Sequence, residues 1–259
     1  MTEPIEVIVA GLPGNMATLV ARQVAAAPDM KLIELGLSKR AGITRAGKYT
    51  VLQVMRRYYR EVLGKHPEAI VVDFTAPKAV NRNAQLYVRT GHPFVMGTTG
   101  GDREALISTV RGSNVSAVID VNMGVPLVVL KAMVEWASKQ FLGALNGYRL
   151  SITEDHQANK LDTSGTALAF KDLFSRLGAK LTGKIKSIRD LEEGHGYHWF
   201  TLRSPDGTVV IELNTKVEGR LVYALGTLAA IRFLHQRVQE GSVGEVFTMT
   251  DVISARKEA

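Results

Sequence analysis

"IEVIVAGLPGNMATLVARQVAAA" (residues 5–27) begins as a short apolar run, passes through glycines and continues with apolar residues at helical spacing. "IEVIVA" predicts a buried strand. "NMATLVARQVAAA" predicts a helix that stops before Pro28. The same beat recurs downstream. "KLIELGL" (31–37), "IVVDFT" (70–75), "HPFVMGTTG" (92–100) and "VSAVID" (115–120) read as strands and their exit loops. Helices are predicted from Pro77 to about Arg89 and over "DREALISTVRG" (102–112). Strands that alternate with helices predict a parallel, doubly wound α/β sheet of the Rossmann-like kind.

The beat changes near residue 123. A long helix (126–141), a strand "GYRLSITE" (147–154) and a helix (166–178) give way to "KSIRD", "YHWFTLRS" and "TVVIELNT", with little helix between them. "SPDG" (204–207) is a turn signal that makes the last two a hairpin. A closing helix covers 222–238. This half predicts an α+β domain with an open mixed sheet. The division expected is a dinucleotide-binding domain over 1–123, to which 240–259 returns, and a substrate-binding and oligomerisation domain over 124–239.

The composition fits such a division. The chain has 259 residues, 46% of them hydrophobic, which is enough for two modest cores. It has no cysteine, so disulfides and thiolate metal sites are excluded, and a reducing, cytoplasmic setting is expected. No basic stretch followed by an apolar run opens the sequence, and no apolar segment is long enough for a bilayer, so neither a signal peptide nor a membrane partner is expected. Lysine and arginine number 32 against 25 acids, a net charge of +7. These basic residues are spread along the chain, and the densest run, "MRRYYREVLGKH" (55–66), has helical spacing. That argues against a nucleic-acid partner and leaves a small anionic one, a phosphorylated cofactor or a dicarboxylate.

The glycine turn supplies the first candidate site. Gly11, Gly14 and Ala17 form G-x-x-G-x-x-A between a strand and a helix, with Asn15 and Met16 opening the helix. Glycines let the backbone approach a pyrophosphate, and a helix N-terminus offers unpaired N–H groups. The second strand runs into Ser38, Lys39 and Arg40, a cluster suited to the 2′-phosphate of NADP. Phe74 and Thr75 end the neighbouring strand, and Gly97, Thr98 and Thr99 follow the next. Strand C-termini of an open α/β sheet form the ligand crevice, so all of these are placed for a dinucleotide.

"EDHQANKLDTSGTALAF" (154–170) supplies the second. Ser164, Gly165 and Thr166 precede a helix, where hydroxyls and backbone N–H groups can hold a carboxylate. Lys160 is a cation and a candidate proton donor, and His156 can carry charge or move a proton near neutral pH.

This stretch resembles the signature of the dihydrodipicolinate reductases of lysine biosynthesis, E-x-H-H-x-x-K-x-D-x-P-S-G-T-A. Glu154, His156, Lys160, Asp162, Ser164, Gly165, Thr166 and Ala167 match, Gln157 replaces the second histidine, and one residue is missing before the serine. Both departures resemble the plant branch, as do "VVDFTAPKAVNRNAQLY", "PFVMGTTGGDRE", "SPDGTV" and "GRLVYALGT". The resemblance implies reduction of a cyclic imine dicarboxylate by NADPH, with NADH also admitted, and no metal. It implies Lys160 as proton donor, His156 as its partner, Gln157, Ser164, Gly165 and Thr166 as substrate contacts, and Gly11, Gly14, Asn15, Met16, Phe74, Thr75, Gly97, Thr98, Thr99 and Asn122 as cofactor contacts. It also implies a homo-oligomer, dimer or tetramer.

Asn15 departs from a basic residue common in the family, and Asp120 and Val121 stand in place of its usual Ala-Pro. An added carboxylate there raises the alternative of a related imine or amino-acid reductase with another substrate. A non-catalytic NADP-binding sensor is the other alternative, opposed by Lys160 and His156, which a sensor would not need. His195 and His198 read as structural, since His156 and Lys160 already fill the expected roles.

Overall fold

The computed structural model describes residues 3–158, 163–191 and 194–255. The chain divides into two compact units, 1–125 with 221–259, and 126–220.

The first unit starts with β1 (Ile5–Leu12), α1 (Asn15–Ala26), β2 (Met30–Leu32) and β3 (Leu35–Ser38). A hairpin follows, β4 (Gly42–Ala46) and β5 (Tyr49–Met55), then a 3-10 turn over Arg56–Tyr58 and α2 (Tyr59–Gly64). β6 (Ile70–Asp73), α3 (Val80–Arg89), β7 (Phe94–Met96), α4 (Arg103–Arg111) and β8 (Ala117–Ile119) complete its first segment.

The second unit holds most of α5 (Val125–Gln140), then β9 (Arg149–Asp155), α6 (Gly165–Arg176), β10 (Lys180–Leu181), β11 (Lys186–Ile188), β12 (Gly194–Arg203) and β13 (Val210–Glu218). The chain then returns to the first unit as α7 (Leu221–Gln239), β14 (Val246–Phe247) and α8 (Met249–Ser254).

In the first sheet the strands run β14-β8-β7-β6-β1-β3-β5-β4, with β2 also on β1. All pair in parallel except β4 with β5. The apolar strands are buried on both sides, as a covered parallel sheet requires. Ile8, Ala10, Leu37, Val71, Phe94 and Met96 pack with Tyr59, Leu63, Ala84, Tyr87, Leu106 and Val110 from α2, α3 and α4. On the other face α1 and α7 lie together. The chain leaves β1 for β3 on one side and comes back to β6 on the other, so the ends of β1 and β6 mark the switch point where a crevice opens.

Three local expectations are revised. "KLIELGL" breaks into β2 and β3, with Glu34 in an exposed bend between them. The hairpin β4–β5 was not expected; it turns at Gly47, whose φ is +60°. Residues 221–239, read as part of the second region, belong to the first unit. The reason is local packing: α7 buries Ala224, Gly226, Thr227, Ala229, Ala230 and Ile231, and the Met123 carbonyl sits where any Cβ on Gly226 would lie. Arg232 of α7 also makes two bonds to Asp29, at 2.6 and 2.9 Å.

The second sheet runs β10-β9-β12-β13, with β11 also on β9. β12 pairs antiparallel with β9 and β13, while β10 and β11 are parallel to β9. Leu150, Ile152, Phe200 and Leu202 from its core face pack against Ala167, Phe170 and Phe174 of α6. Phe170 stacks on Phe200, with ring centroids 4.7 Å apart. Among the described residues no helix is long and apolar enough to cross a membrane.

Candidate functional site

In the first unit the glycine turn is shaped by what a side chain would hit. Gly11 has φ +107°, and a Cβ there would run into the Phe74 carbonyl. A Cβ on Gly14 would lie 2.8 Å from the Gly11 oxygen, and one on Gly97 would strike the Phe74 ring. Phe74 is thus held between two glycines, its N–H donating to the Ala10 carbonyl at 3.0 Å. Gly14 is the N-cap of α1 and supplies no side-chain cap, and no acid stands in the first turn, where Asn15 and Met16 lie. The first-turn N–H groups have no side-chain cap, and the helix dipole puts partial positive charge there.

Asp73, buried at the end of β6, organises the strand ends. Its Oδ1 accepts from the Thr75 N–H at 3.0 Å, the Thr75 hydroxyl at 2.7 Å and the Thr98 hydroxyl at 2.8 Å. Its Oδ2 accepts from Asn83 at 2.9 Å and the Tyr87 hydroxyl at 2.7 Å. Burial and the neighbouring Asp73 charge push the Tyr87 hydroxyl well above the usual tyrosine range, so it stays a donor. Thr75 and Thr98 therefore turn their hydroxyls inward and offer a ligand only backbone, whereas Thr99 is exposed. Asp73, Asn83 and Tyr87 were missed in the sequence. The available signal was an acid in register with the core residues of "IVVD".

Ser38 also points inward. Its buried hydroxyl donates to the Leu12 carbonyl at 2.5 Å and accepts from the Arg40 N–H at 3.3 Å. This ties the loop that displays exposed Lys39 and Arg40 to the end of β1. Asp120, the departure that raised a changed substrate, is spent on structure: Oδ1 accepts from the Asn122 N–H at 3.1 Å and Oδ2 from the Met249 N–H, opening α8, at 3.0 Å. Asn122 in turn accepts from the Gly124 N–H at 2.9 Å.

In the second unit, alternation along β9 carries the core face from Leu150 and Ile152 to Glu154, opposite His198 of β12. The register thus delivers a carboxylate and an imidazole to the end of an apolar core, beside the start of α6. Glu154 is fully buried. Its Oε1 accepts from Arg189 at 3.0 Å, and its Oε2 lies 3.3 Å from His156 Nε2. Burial raises the Glu154 carboxyl pKa, but hydrogen bonds from Ser187 and Arg189 and the charges of His156 and Arg189 outweigh it, and the net shift is downward. The carboxylate stays ionised.

The His156 Nδ1 is 3.0 Å from the His195 carbonyl, which can only accept, so Nδ1 carries a hydrogen. Gly196 makes room for this ring, since a Cβ there would collide with it. His198 meets His156 edge to face at 5.3 Å and stacks parallel to Phe200. Its Nδ1 lies 3.2 Å from the Thr215 hydroxyl and its Nε2 2.8 Å from the Ser164 hydroxyl. Ser164 is the N-cap of α6, yet its side chain makes no cap bond. Gly165 and Thr166 stand in the first turn, whose N–H groups the Ser164 side chain does not cap. Gln157 is half-buried and follows His156 directly. Lys160 lies outside the described residues. His198, read as structural, belongs to the cluster. The missed signal was its even spacing from the core residues Phe200 and Leu202.

Two family models match the chain, "Dihydrodipicolinate reductase, N-terminus" over residues 5–123 and "Dihydrodipicolinate reductase, C-terminus" over 126–253. Two rice (Oryza sativa subsp. japonica) proteins are similar. One, named probable 4-hydroxy-tetrahydrodipicolinate reductase 1, chloroplastic, is 45% identical over 202 residues. That match covers 73% of this chain but only 59% of the rice protein. The other, probable 4-hydroxy-tetrahydrodipicolinate reductase 2, chloroplastic, is 38% identical over 95% of this chain and 82% of its own length. A solved structure, dipicolinate-bound dihydrodipicolinate reductase from Paenisporosarcina sp. TG-14, superposes with a TM-score of 0.70 at 16% identity, over 95% of this chain and 97% of that one, a likeness of fold. On these matches, which together span nearly all of its length, the chain belongs to the dihydrodipicolinate reductase family.

Proposed function

We propose that the protein reduces dihydrodipicolinate, or its hydrated precursor 4-hydroxy-tetrahydrodipicolinate, to tetrahydrodipicolinate with NADPH, in lysine and diaminopimelate biosynthesis. The observation that carries this reading is the N-terminus of α6. Its cap serine is bonded to His198 rather than to its own helix, which leaves an anion site beside the Glu154–His156–Arg189 cluster. A carboxylate held by Thr166 and the first-turn N–H groups fits a dicarboxylate substrate.

The first unit supports the cofactor. Gly11 and Gly14 leave a cradle that a Cβ would fill, and the uncapped α1 N-terminus suits a pyrophosphate. Exposed Lys39 and Arg40, anchored through Ser38, suit the 2′-phosphate of NADPH, with NADH as a weaker alternative. When bound, the nicotinamide supplies a hydride to the substrate ring. Balance then requires one proton on the adjacent carbon, and we assign its delivery to Lys160; the hydrated precursor first loses one water to give the same unsaturated ring. His156, with Nδ1 fixed on the His195 carbonyl and Nε2 beside Glu154, holds positive charge toward the developing negative charge of the ring.

Asp120 supports the reading against a drifted substrate, because both its oxygens are engaged with backbone N–H groups. Exposed Val209, Val210 and Ile211 at the open edge of the second sheet support self-association, which we extend to a homo-oligomer. The cysteine-free composition suits a reducing compartment such as the cytoplasm. The direct test mixes the protein with NADPH and freshly generated dihydrodipicolinate. Oxidation of the cofactor with formation of a product two hydrogens heavier than the substrate is expected. No oxidation with this substrate would end the proposal.

A further inference from the structure

The basic run at 55–66 has no role in that reaction, yet the fold gives it a definite setting. Arg56, Arg57 and Arg60 follow β5, and Arg82, Gln85 and Arg89 form one stripe on α3 at spacings of three and four. Together they line a cavity of about 220 Å³ in the first unit. Five arginines facing one small cavity is an unusual outlay of like charge. Among the described residues, none of the five forms an ion pair with a carboxylate, and Glu61, the acid inside the run, is taken by Lys65 at 2.7 Å.

The cluster is also partly ordered. Arg56 is half-buried and donates to the Asn83 side chain at 2.8 Å, and Arg57 lies over the Tyr58 ring at 4.8 Å. Burial and then the Arg82 charge lower the Arg56 guanidinium below its ordinary value. The cavity adjoins the strand ends, since Met55 is paired with Ser38 and the Tyr59 hydroxyl donates to the Ser38 carbonyl at 2.9 Å.

We propose that this cavity binds a phosphate group, gripped by two or more guanidinium forks. Guanidinium presents paired N–H donors that match phosphate oxygens, and the cavity admits a phosphate monoester but not a duplex. The claim stands apart from the proposed reduction, because it is read from binding without turnover.

The test titrates the whole protein with inorganic phosphate and with pyrophosphate, in chloride buffer, by calorimetry. Saturable binding is expected. It should weaken at least about tenfold in Arg82→Gln and in the Arg60→Gln/Arg89→Gln pair, a typical loss for one charge-assisted contact. Those three positions are exposed, and their variants should melt like the wild type. If NADPH displaces the phosphate and NADH does not, the phosphate occupies the 2′-phosphate position assigned to Lys39 and Arg40, and the separate site is lost. If neither displaces it, the site takes a free phosphorylated ligand. Only the second result supports the site. Absence of saturable binding, undiminished binding in both variants, equal displacement by NADH and NADPH, or binding of a single-stranded oligonucleotide without binding of phosphate would overturn it.

Discussion

The Ser164 hydroxyl lies 2.8 Å from Nε2 of His198 and not on the amides of the helix it precedes. A serine at an N-cap normally closes the first turn of its own helix. Here it fastens a buried histidine, and its hydroxyl does not close the turn. Ser164→Ala should cost about 1–3 kcal/mol in stability, because the buried His198–Ser164 bond is lost. It should also raise KM for the dicarboxylate. Thr166→Ala should raise KM alone. Unfolding curves and initial rates on both variants check this, and a Ser164→Ala protein with wild-type values of each would remove the bond from the account.

Glu154 makes the second unit sensitive to acid. Its folded-state pKa is depressed, so its contribution is full above the ordinary value of 4.5 and is lost as pH falls through the lower folded value. Glu154→Gln should be less stable than wild type near neutrality, and the gap should close as pH drops below about 4.5. Urea midpoints measured across that range give the comparison. A gap that stays constant down to the acid limit would show that the carboxylate charge contributes nothing.

Asp73 makes a different demand. Its five donors are otherwise without this acceptor, so Asp73→Ala should destabilise the first unit by at least about 2 kcal/mol and raise KM for NADPH. Tyr87→Phe removes one donor and should cost about 1–2 kcal/mol. The Tyr87 pKa is raised in the folded state, so the wild-type contribution is present below the ordinary value of 10 and declines as pH rises beyond it. Chemical unfolding of both variants, with KM for each substrate, separates scaffold from binding. An unchanged KM for NADPH in Asp73→Ala would detach the network from the cofactor site.

The strand–glycine–helix beat made the first unit legible because a covered parallel sheet writes itself as apolar runs. The family was legible in "EDHQANKLDTSGT" because proton-transfer groups rarely gather before a helix. The roles inside were harder to read. Ser38, Thr75 and Thr98 were assigned by position at strand ends, but their hydroxyls satisfy buried neighbours, and no local pattern distinguishes a serine aimed inward from one aimed at a ligand. His198 was set aside because only strand register brings it opposite Glu154. α7 was misassigned because its small residues describe a close approach without naming the partner.

Cofactor preference is open to a simple exchange. Lys39→Ala with Arg40→Ala should raise KM for NADPH by tenfold or more, about 1.4 kcal/mol, and leave NADH nearly unchanged. Steady-state rates with both cofactors decide it. Equal losses for the two would place the 2′-phosphate elsewhere in the first unit.

The central claim is that the segment between β9 and α6 performs chemistry and does not merely cap a helix. Lys160→Met keeps the length of the stem and removes the proton donor. With dihydrodipicolinate saturating, kcat should fall by roughly 100-fold or more, the usual contribution of a positioned acid, while NADPH affinity holds. A Lys160→Met enzyme that keeps near-normal kcat under those conditions would contradict the account.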